Sequence, residues 1–346
     1  MNKKKVILGM SGGTDSSMAA ILLKEAGYEV IGVTFVFHGD GGQHLQDAKE
    51  LAQRLNIKHI THDAIDVFDK QIIQYFVTEY FAGRTPVPCV ICNNLMKWPL
   101  LAQIADEQDA YYIATGHYVQ TTYIDDRIYI IPGTDPDKDQ SFFLWGLPPS
   151  LLERMLLPLG AKHKEEVRKM AAEKGYKQVS VKKDSLGVCF CSGDYRDFLR
   201  QFGQSKDIES GHFVDTQGRI LGRHEGFPYY TVGQRRGLGI NLNQALFVKE
   251  INAHDNRIVL APHKDLYKTQ ISLQQVHVNY PNELEQELIC RIRYRKQQTP
   301  CRVDLHPNNQ AVVTLLEPLD SIAPGQSAVF YKDNRVIGGG IIEKAD

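Results

Sequence analysis

Two groups of residues in this chain have types and spacing suited to chemistry: a run of small polar residues near the start, and two close pairs of cysteines. The run is Gly9-Met10-Ser11-Gly12-Gly13-Thr14-Asp15-Ser16-Ser17, between apolar Val6-Ile7-Leu8 and the helix-forming Met18-Ala19-Ala20-Ile21-Leu22-Leu23. A strand, a glycine-serine turn and a helix in that order leave backbone N–H groups unbonded at the helix N-terminus. With the positive end of the helix dipole, those donors form a cradle for an anion. Gly12 and Gly13 carry no Cβ and admit close approach. Ser11, Ser16 and Ser17 add hydroxyl donors, and Asp15 offers a carboxylate to a magnesium ion. One Ser or Thr is enough to cap a helix. A whole loop of small polar residues therefore predicts a nucleotide phosphate here. No lysine follows the glycines as a Walker loop requires, and the spacing is not that of a dinucleotide-binding turn.

The first cysteine pair, Cys89 and Cys92, lies in Arg84-Thr85-Pro86-Val87-Pro88-Cys89-Val90-Ile91-Cys92-Asn93, where the prolines predict an extended loop. The second, Cys189 and Cys191, lies in Lys183-Asp184-Ser185-Leu186-Gly187-Val188-Cys189-Phe190-Cys191, also irregular. Thiols on loops near lysines and helix termini are expected to have lowered pKa and to act as thiolates. They could be a nucleophile and a persulfide carrier, ligands of zinc or an iron–sulfur cluster, or small buried hydrophobes. Two pairs on glycine- and proline-rich loops favour chemistry over burial. Cys290 and Cys301 are expected in a core.

The elements that must position these residues change character along the chain. In the first half, strands are predicted around Val6–Leu8, Val30–Phe35, Lys58–Asp63 and Tyr111–Thr115, and helices over Leu45–Leu55, Phe68–Phe81 and Leu95–Ile104. This alternation predicts an α/β, Rossmann-like domain with a parallel sheet, whose ligands sit at the carboxyl ends of the strands. The nucleotide loop, Phe35 and Thr115-Gly116-His117 then surround one crevice. Near residue 205 helical periodicity stops. Hairpins are predicted across Thr216-Gln217-Gly218 and Asp255-Asn256, followed by six strands near 274–278, 287–293, 301–305, 311–316, 327–331 and 336–342, the pattern of a small antiparallel barrel. The expected domains are 1–205 (nucleotide-binding, catalytic), 206–267 (central, mostly β) and 268–346 (a β-barrel). A formal net charge of −1 excludes a global field for nucleic acid, so any RNA surface must be local. No apolar run approaches the roughly 18 residues of a membrane span. A cytoplasmic protein with reduced cysteines is expected.

Ser11-Gly12-Gly13-Thr14-Asp15-Ser16-Ser17 resembles the pyrophosphate-binding loop of the ATP pyrophosphatases. Over nearly its full length the chain resembles the tRNA-specific 2-thiouridylases. The likeness runs through Gly83-Arg84-Thr85-Pro86, Cys92-Asn93, Ile113-Ala114-Thr115-Gly116-His117-Tyr118, Lys138-Asp139-Gln140-Ser141, Lys183-Asp184-Ser185, Gly187-Val188-Cys189-Phe190, Thr231-Val232-Gly233-Gln234-Arg235-Arg236-Gly237, Arg293-Tyr294-Arg295 and Pro324-Gly325-Gln326-Ser327. The resemblance implies a sulfurtransferase that uses ATP and Mg2+ to adenylate the C2 oxygen of the wobble uridine of a tRNA. A persulfide sulfur then replaces that oxygen, giving 2-thiouridine, AMP and pyrophosphate. It implies that Gly9, Met10, Ser11, Gly12, Gly13, Thr14, Asp15 and Ser16 hold ATP with Phe35 and Gly116. Cys189 would carry the persulfide and Cys92 would be the nucleophile, a pair able to alternate with a disulfide. Val87, Pro88, Cys89, Lys138, Asp139, Gln140, Arg293 and Tyr294 would contact tRNA, and a cysteine desulfurase or relay protein would supply sulfur. Strand periodicity would place Arg291, Arg293 and Arg295 on one face as a phosphate-binding stripe, with Arg235 and Arg236 as a second patch.

The chain departs from the family at Val87 and Cys89, where asparagine and aspartate are usual, and in the short His38-Gly39-Asp40-Gly41-Gly42 stretch. A thiol is a poor substitute for an acid/base carboxylate. Cys89, Cys92 and Cys189 could instead hold a [4Fe-4S] cluster with one open iron as the sulfur carrier. A ligase of the same superfamily acting on a small molecule is the other alternative.

Overall fold

The computed structural model describes residues 1–176, 187–191, 193–202, 208–240, 244–294 and 298–346. Lys183-Asp184-Ser185, the expected boundary at 205/206 and Arg295 lie outside the described residues. The chain forms two compact units, one of Met1–Ile72, Cys89–Ser185 and Asp333–Val336, the other of Ile73–Pro88, Leu186–Lys332 and Ile337–Asp346.

The first unit is built on strands β1 (Asn2–Gly9), β2 (Glu29–Val36), β3 (Lys58–Asp63), β4 (Ala110–Ala114) and the two-residue β7 (Met155–Leu156). Their order is β3-β2-β1-β4-β7, and every pair is parallel. Val6, Ile7 and Leu8 on the central strand are wholly buried. A strand covered on both faces has no polar side to alternate with, so it reads as a continuous apolar run. Helices α1 (Thr14–Glu25), α2 (Gly42–Leu55), α6 (Trp98–Glu107) and α8 (Lys164–Glu173) accompany the sheet, and Met18, Ala19, Ala48, Leu51, Val167 and Ala171 share a core with Val6 and Leu8. The expected helix over Phe68–Phe81 is interrupted. A π-helical turn at Asp69–Ile73 separates α3 (Ile65–Phe68) from α4 (Gln74–Phe81). A hairpin of β5 (Val119–Ile124) and β6 (Arg127–Pro132) was not expected from periodicity. Its turn residues Asp125 and Asp126 both have positive φ, the twist that tight hairpins need.

In the second unit, β8 (Gly211–Val214), β9 (Ile220–His224), β10 (Phe247–Asn252) and β11 (Arg257–Ala261) form a sheet in the order β10-β11-β8-β9. Both expected hairpins are present. Phe213, Val248 and Ile258 are fully buried, with Phe76 and Tyr80 of α4 and Leu199 of α9 (Tyr195–Phe202) packed in the same cluster. Strands β12 (Lys268–Val278), β13 (Leu288–Arg291), β14 (Gln298–His306), β15 (Gln310–Leu319), β16 (Ser327–Lys332) and β17 (Arg335–Ala345) close into the expected antiparallel barrel in the order β12-β15-β14-β13-β16-β17. Closure leaves no unpaired edge. Cys290 and Cys301 are completely buried in it, as expected.

Candidate functional site

The Gly9–Ser17 loop joins β1 to α1. Met10 donates its N–H to Val33 O (2.7 Å), and Thr34 Oγ1 donates to Met10 O (2.8 Å), so β2 fixes the start of the loop. Ser16 closes it: its Oγ accepts from Ser11 N at 3.1 Å and donates to Gly13 O at 3.3 Å. Gly13 is the N-cap of α1. Glycine has no side chain with which to satisfy the first-turn donors, so that work falls to water or an anion. Gly12 stands at φ +68°, and a Cβ there would lie 2.4 Å from His44 O. A Cβ on Gly116, just beyond β4, would lie 2.6 Å from Asp15 C and 2.7 Å from Ser16 N. The bare backbone at Gly116 therefore sets how closely β4 approaches the first turn of α1. Phe35, near the end of β2, stacks on Phe37 (6.0 Å between ring centroids) and meets His62 edge-on (5.6 Å). The first unit thus brings the loop, Phe35 and Gly116 to the carboxyl ends of adjacent strands.

Asp15 has partners that the local sequence did not indicate. Lys164 Nζ donates to both carboxylate oxygens (2.7 and 2.8 Å), and the Tyr118 hydroxyl donates to Oδ1 (2.8 Å). The Lys164 side chain is only 7% exposed. As it stands, this carboxylate neutralises a buried ammonium. Lys164 is 149 residues away in sequence, so only the fold brings it there. Tyr118, by contrast, adjoins the Gly116-His117 pair already singled out.

Lys138, Asp139 and Gln140 belong to a loop held by its own side chains. Asp139 accepts from Gly133 N (3.2 Å), Ser141 N (3.0 Å) and Ser141 Oγ (2.9 Å). Gln140 Oε1 accepts from Tyr118 N (2.9 Å), and Gln140 N donates to Tyr118 O (3.1 Å). Asp139 and Gln140 therefore shape this loop, and Lys138 is its half-buried cation.

The cysteines correct two expectations. Cys89 and Cys92 are not on an extended loop: Cys89 lies in α5 (Pro88–Ile91), and Cys92 opens a π-helical turn, Cys92–Lys97, leading into α6. Pro88 takes the first helical position, where a missing N–H costs nothing. Nor are the thiols acidified. Burial pushes both upward from the ordinary thiol value, against the opposing pull of Lys97. Lys97 Nζ lies 3.3 Å from Asn93 Oδ1, and Asn93 Nδ2 donates to Cys89 O (2.9 Å). His117 is buried, its Nδ1 2.5 Å from Thr115 Oγ1. Burial, with a smaller contribution from Lys97, lowers its pKa to about 3, so it stays a neutral imidazole.

In the second unit, Cys189 is exposed while its neighbour Phe190 is anchored. Phe190 packs edge-on against Phe76 (5.1 Å) and at a tilt against Phe198 (5.1 Å). Cys191 N donates to Val188 O (3.2 Å), closing a tight turn that presents Cys189. Burial, Asp194 and Asp197 raise the Cys191 thiol. No cysteine is in a disulfide. Among the described residues, no group of three His, Cys, Asp or Glu side chains is placed to hold a metal ion.

The basic surface also differs from expectation. Strand β13 ends at Arg291, which stacks on Tyr331 (4.0 Å) and donates to Gln298 (3.1 Å). Ile292 is buried, and Arg293 and Tyr294 follow in a bend, so among the described residues Arg291 and Arg293 do not share a strand face. Arg293 instead donates to Ser321 O (3.0 Å), and a Cβ on Gly233 would lie 3.5 Å from the Arg293 guanidinium. This places Arg293 beside the loop that carries exposed Arg235 and Arg236. Gly83-Arg84-Thr85-Pro86 is docked in the same unit: Thr85 N donates to Pro324 O (2.7 Å), Gln326 Nε2 donates to Thr85 O (2.7 Å), and Arg84 forms a two-pronged pair with Glu79. Pro88 is buried and Val87 half-buried.

Residues 4–193 match the family described as tRNA methyl transferase HUP domain, residues 196–262 the tRNA methyl transferase PRC-barrel domain, and residues 268–342 the aminomethyltransferase beta-barrel domain. The chain is 53% identical over 345 residues to tRNA-specific 2-thiouridylase MnmA 2 of Phocaeicola vulgatus, covering 99% of this chain and 98% of that protein. It is also 53% identical over 357 residues to MnmA 1 of Bacteroides fragilis, covering 99% and 98%. The MnmA of Cytophaga hutchinsonii is 40% identical and is matched over 100% of this chain and 99% of its own length.

Proposed function

The chain belongs to the tRNA-specific 2-thiouridylase family, a family of sulfurtransferases, and from that premise we propose that it thiolates the wobble uridine of tRNA by adenylating its C2 oxygen and replacing it with persulfide sulfur. The observation that carries this reading is the pairing, in one chain, of a glycine-capped phosphate loop with an exposed Cys189 on an aromatically anchored turn. The matched domain descriptions speak of methyl transfer, but a phosphate loop serves leaving-group activation, which thiolation needs.

In this reading residues 1–205 form the catalytic part, 206–267 the central part, and 268–346 the RNA-binding barrel. Gly9 to Ser16, Phe35 and Gly116 hold ATP, whose Mg2+ neutralises the phosphates. The C2 oxygen attacks the α-phosphorus, pyrophosphate leaves, and AMP is then the group displaced by sulfur. A persulfide-bearing protein loads Cys189. The Cys92 thiol then attacks the inner sulfur of the Cys189 persulfide. A Cys92–Cys189 disulfide forms: the Cys92 sulfur is oxidised, the outer sulfur is reduced in exchange, and it leaves as hydrogen sulfide to attack C2. A thiol reductant resets the pair. Cys92 attacks as the thiolate, and its proton passes to the departing sulfur. Lys138, Arg293, Tyr294, Arg235 and Arg236 supply RNA contacts. Val87 and Cys89 stand where the family's polar pair would be.

The test is reconstitution with purified chain, ATP, Mg2+, a persulfide donor and unmodified tRNA, read as 2-thiouridine by mass spectrometry of nucleosides. Wild type should form it and Cys189→Ala should not, while still releasing tRNA-dependent pyrophosphate. Thiolation at the wild-type rate by Cys189→Ala would defeat the proposal.

A further inference from the structure

Asp15 of the nucleotide loop is connected to the Gly133–Gln140 loop by two separate chains of hydrogen bonds, both within the first unit. One passes through Tyr118, whose hydroxyl donates to Asp15 Oδ1 (2.8 Å) and whose backbone N–H and C=O pair with the Gln140 side chain (2.9 Å) and backbone N–H (3.1 Å). The other passes through Lys164. Its ammonium spans both Asp15 oxygens, and its backbone N–H donates to Asp135 Oδ2 (2.9 Å). Asp135 is itself buried. Its Oδ1 accepts from Asp137 N (3.0 Å), and its carbonyl accepts from Lys138 N (3.1 Å). Lys164 Nζ also lies 5.8 Å from the centre of the Tyr118 ring, so the two routes touch each other.

A buried ammonium beside the N-terminus of α1 meets the positive end of the helix dipole, an adverse placement unless an anion accompanies it. Asp15 is that anion, and it lies in the first turn of α1, whose backbone donors face the phosphate position. The pair therefore couples the pose of the first turn to the pose of α8, where Lys164 begins. Long lysines are usually solvated. Holding one buried in this geometry makes sense only if its charge is used locally.

We infer that Lys164 is a positioning residue for Asp15 and that, with Tyr118, it ties the Lys138–Gln140 loop to the nucleotide loop, so that tRNA and MgATP each strengthen the binding of the other. The inference rests on the proposed thiolation for the identity of the RNA and on the hydrogen-bond routes for the coupling. Differential affinity of this kind is necessarily reciprocal. It also serves chemistry: a first turn locked only when RNA is seated spends ATP only when a uridine is present.

The experiment compares wild type, Lys164→Met, Lys164→Arg and Tyr118→Phe, each checked for wild-type circular dichroism. MgATP dissociation constants are measured by calorimetry, with and without unmodified tRNA, and pyrophosphate release gives kcat and KM. In wild type, tRNA should tighten MgATP about tenfold, a typical coupling. Lys164→Met should abolish that tightening, weaken MgATP without RNA, weaken tRNA binding at saturating MgATP about tenfold by the same reciprocity, and lower kcat about 10²-fold, as expected of a misplaced first turn. Lys164→Arg should restore most of it. Tyr118→Phe, which keeps the ring and both backbone bonds to Gln140, should reduce the coupling if Lys164→Met fails to fold. Wild-type kcat and coupling in Lys164→Met and Tyr118→Phe would overturn the inference, as would thiolating wild type whose MgATP affinity ignores tRNA. A wild type that thiolates no tRNA defeats the proposed function instead. In that case unchanged MgATP binding by Lys164→Met would still overturn the role of Lys164.

Discussion

The substitution Gly116→Ala isolates one distance in the proposed nucleotide site. The added methyl would lie 2.6 Å from Asp15 C, 2.7 Å from Ser16 N and 2.9 Å from Asp15 O. All three atoms are backbone atoms of the first turn of α1, so no flexible side chain can swing aside. To reach ordinary contact near 3.5 Å, the turn and the end of β4 must separate by about 1 Å. Overpacking of this kind costs about 1–3 kcal/mol of stability. A shift of about 1 Å in a reactant-binding group lowers turnover about 10²-fold. Gly13→Ala is the control: its Cβ meets only Ser11 Oγ, at 3.4 Å, and its φ of −84° suits alanine. Calorimetric MgATP binding, thermal melting and tRNA-dependent pyrophosphate release would be measured on both. Gly116→Ala should melt a few degrees lower and lose MgATP affinity and turnover together, whereas Gly13→Ala should stay close to wild type in melting. A Gly116→Ala protein that binds MgATP and releases pyrophosphate as well as wild type would refute the claim that this contact sets the geometry of the loop.

At pH 8, iodoacetamide followed by peptide mapping should label exposed Cys189 well before Cys92, and labelling of Cys92 should climb as the pH passes 9, because burial raises its thiol. The sign carries over to stability: folded Cys89 and Cys92 keep protons that the unfolded thiols lose near pH ~8.5, so their contribution falls as pH rises above that value. A chemical-denaturation series from pH 7 to 10 checks it. Because burial holds the pKa of His117 near 3, it should add no inflection to the pH–rate profile between about pH 5 and 8, and His117→Gln should leave that profile's shape unchanged. Arg235→Gln and Arg293→Gln should each weaken tRNA binding and reduce the slope of log affinity against log salt by about one, measured by filter binding.

Much of the fold was legible before any coordinates because its signals are local. Val6-Ile7-Leu8 followed by a glycine-serine turn could only be a buried strand feeding a helix, and the six barrel strands announced themselves by alternation and turn residues. The hairpin of β5 and β6 escaped because its turn is Asp-Asp rather than a glycine pair, and Arg291 and Arg293 do not share a strand face because β13 ends at Arg291 and Arg293 lies in a bend. The site divided along the same line. The strand–turn–helix geometry of the Gly9–Ser17 loop was readable because its signals lie in contiguous residues. The state of each side chain was not readable. That Asp15 is bound by Lys164 and Tyr118, that the Cys92 thiol is pushed up rather than down, and that His117 is neutral all follow from burial and from partners that the chain supplies from distant positions. Residue type and spacing determined which groups this protein possesses. Tertiary packing alone decided what surrounds each, and desolvation and long-range ion pairing depend on those surroundings.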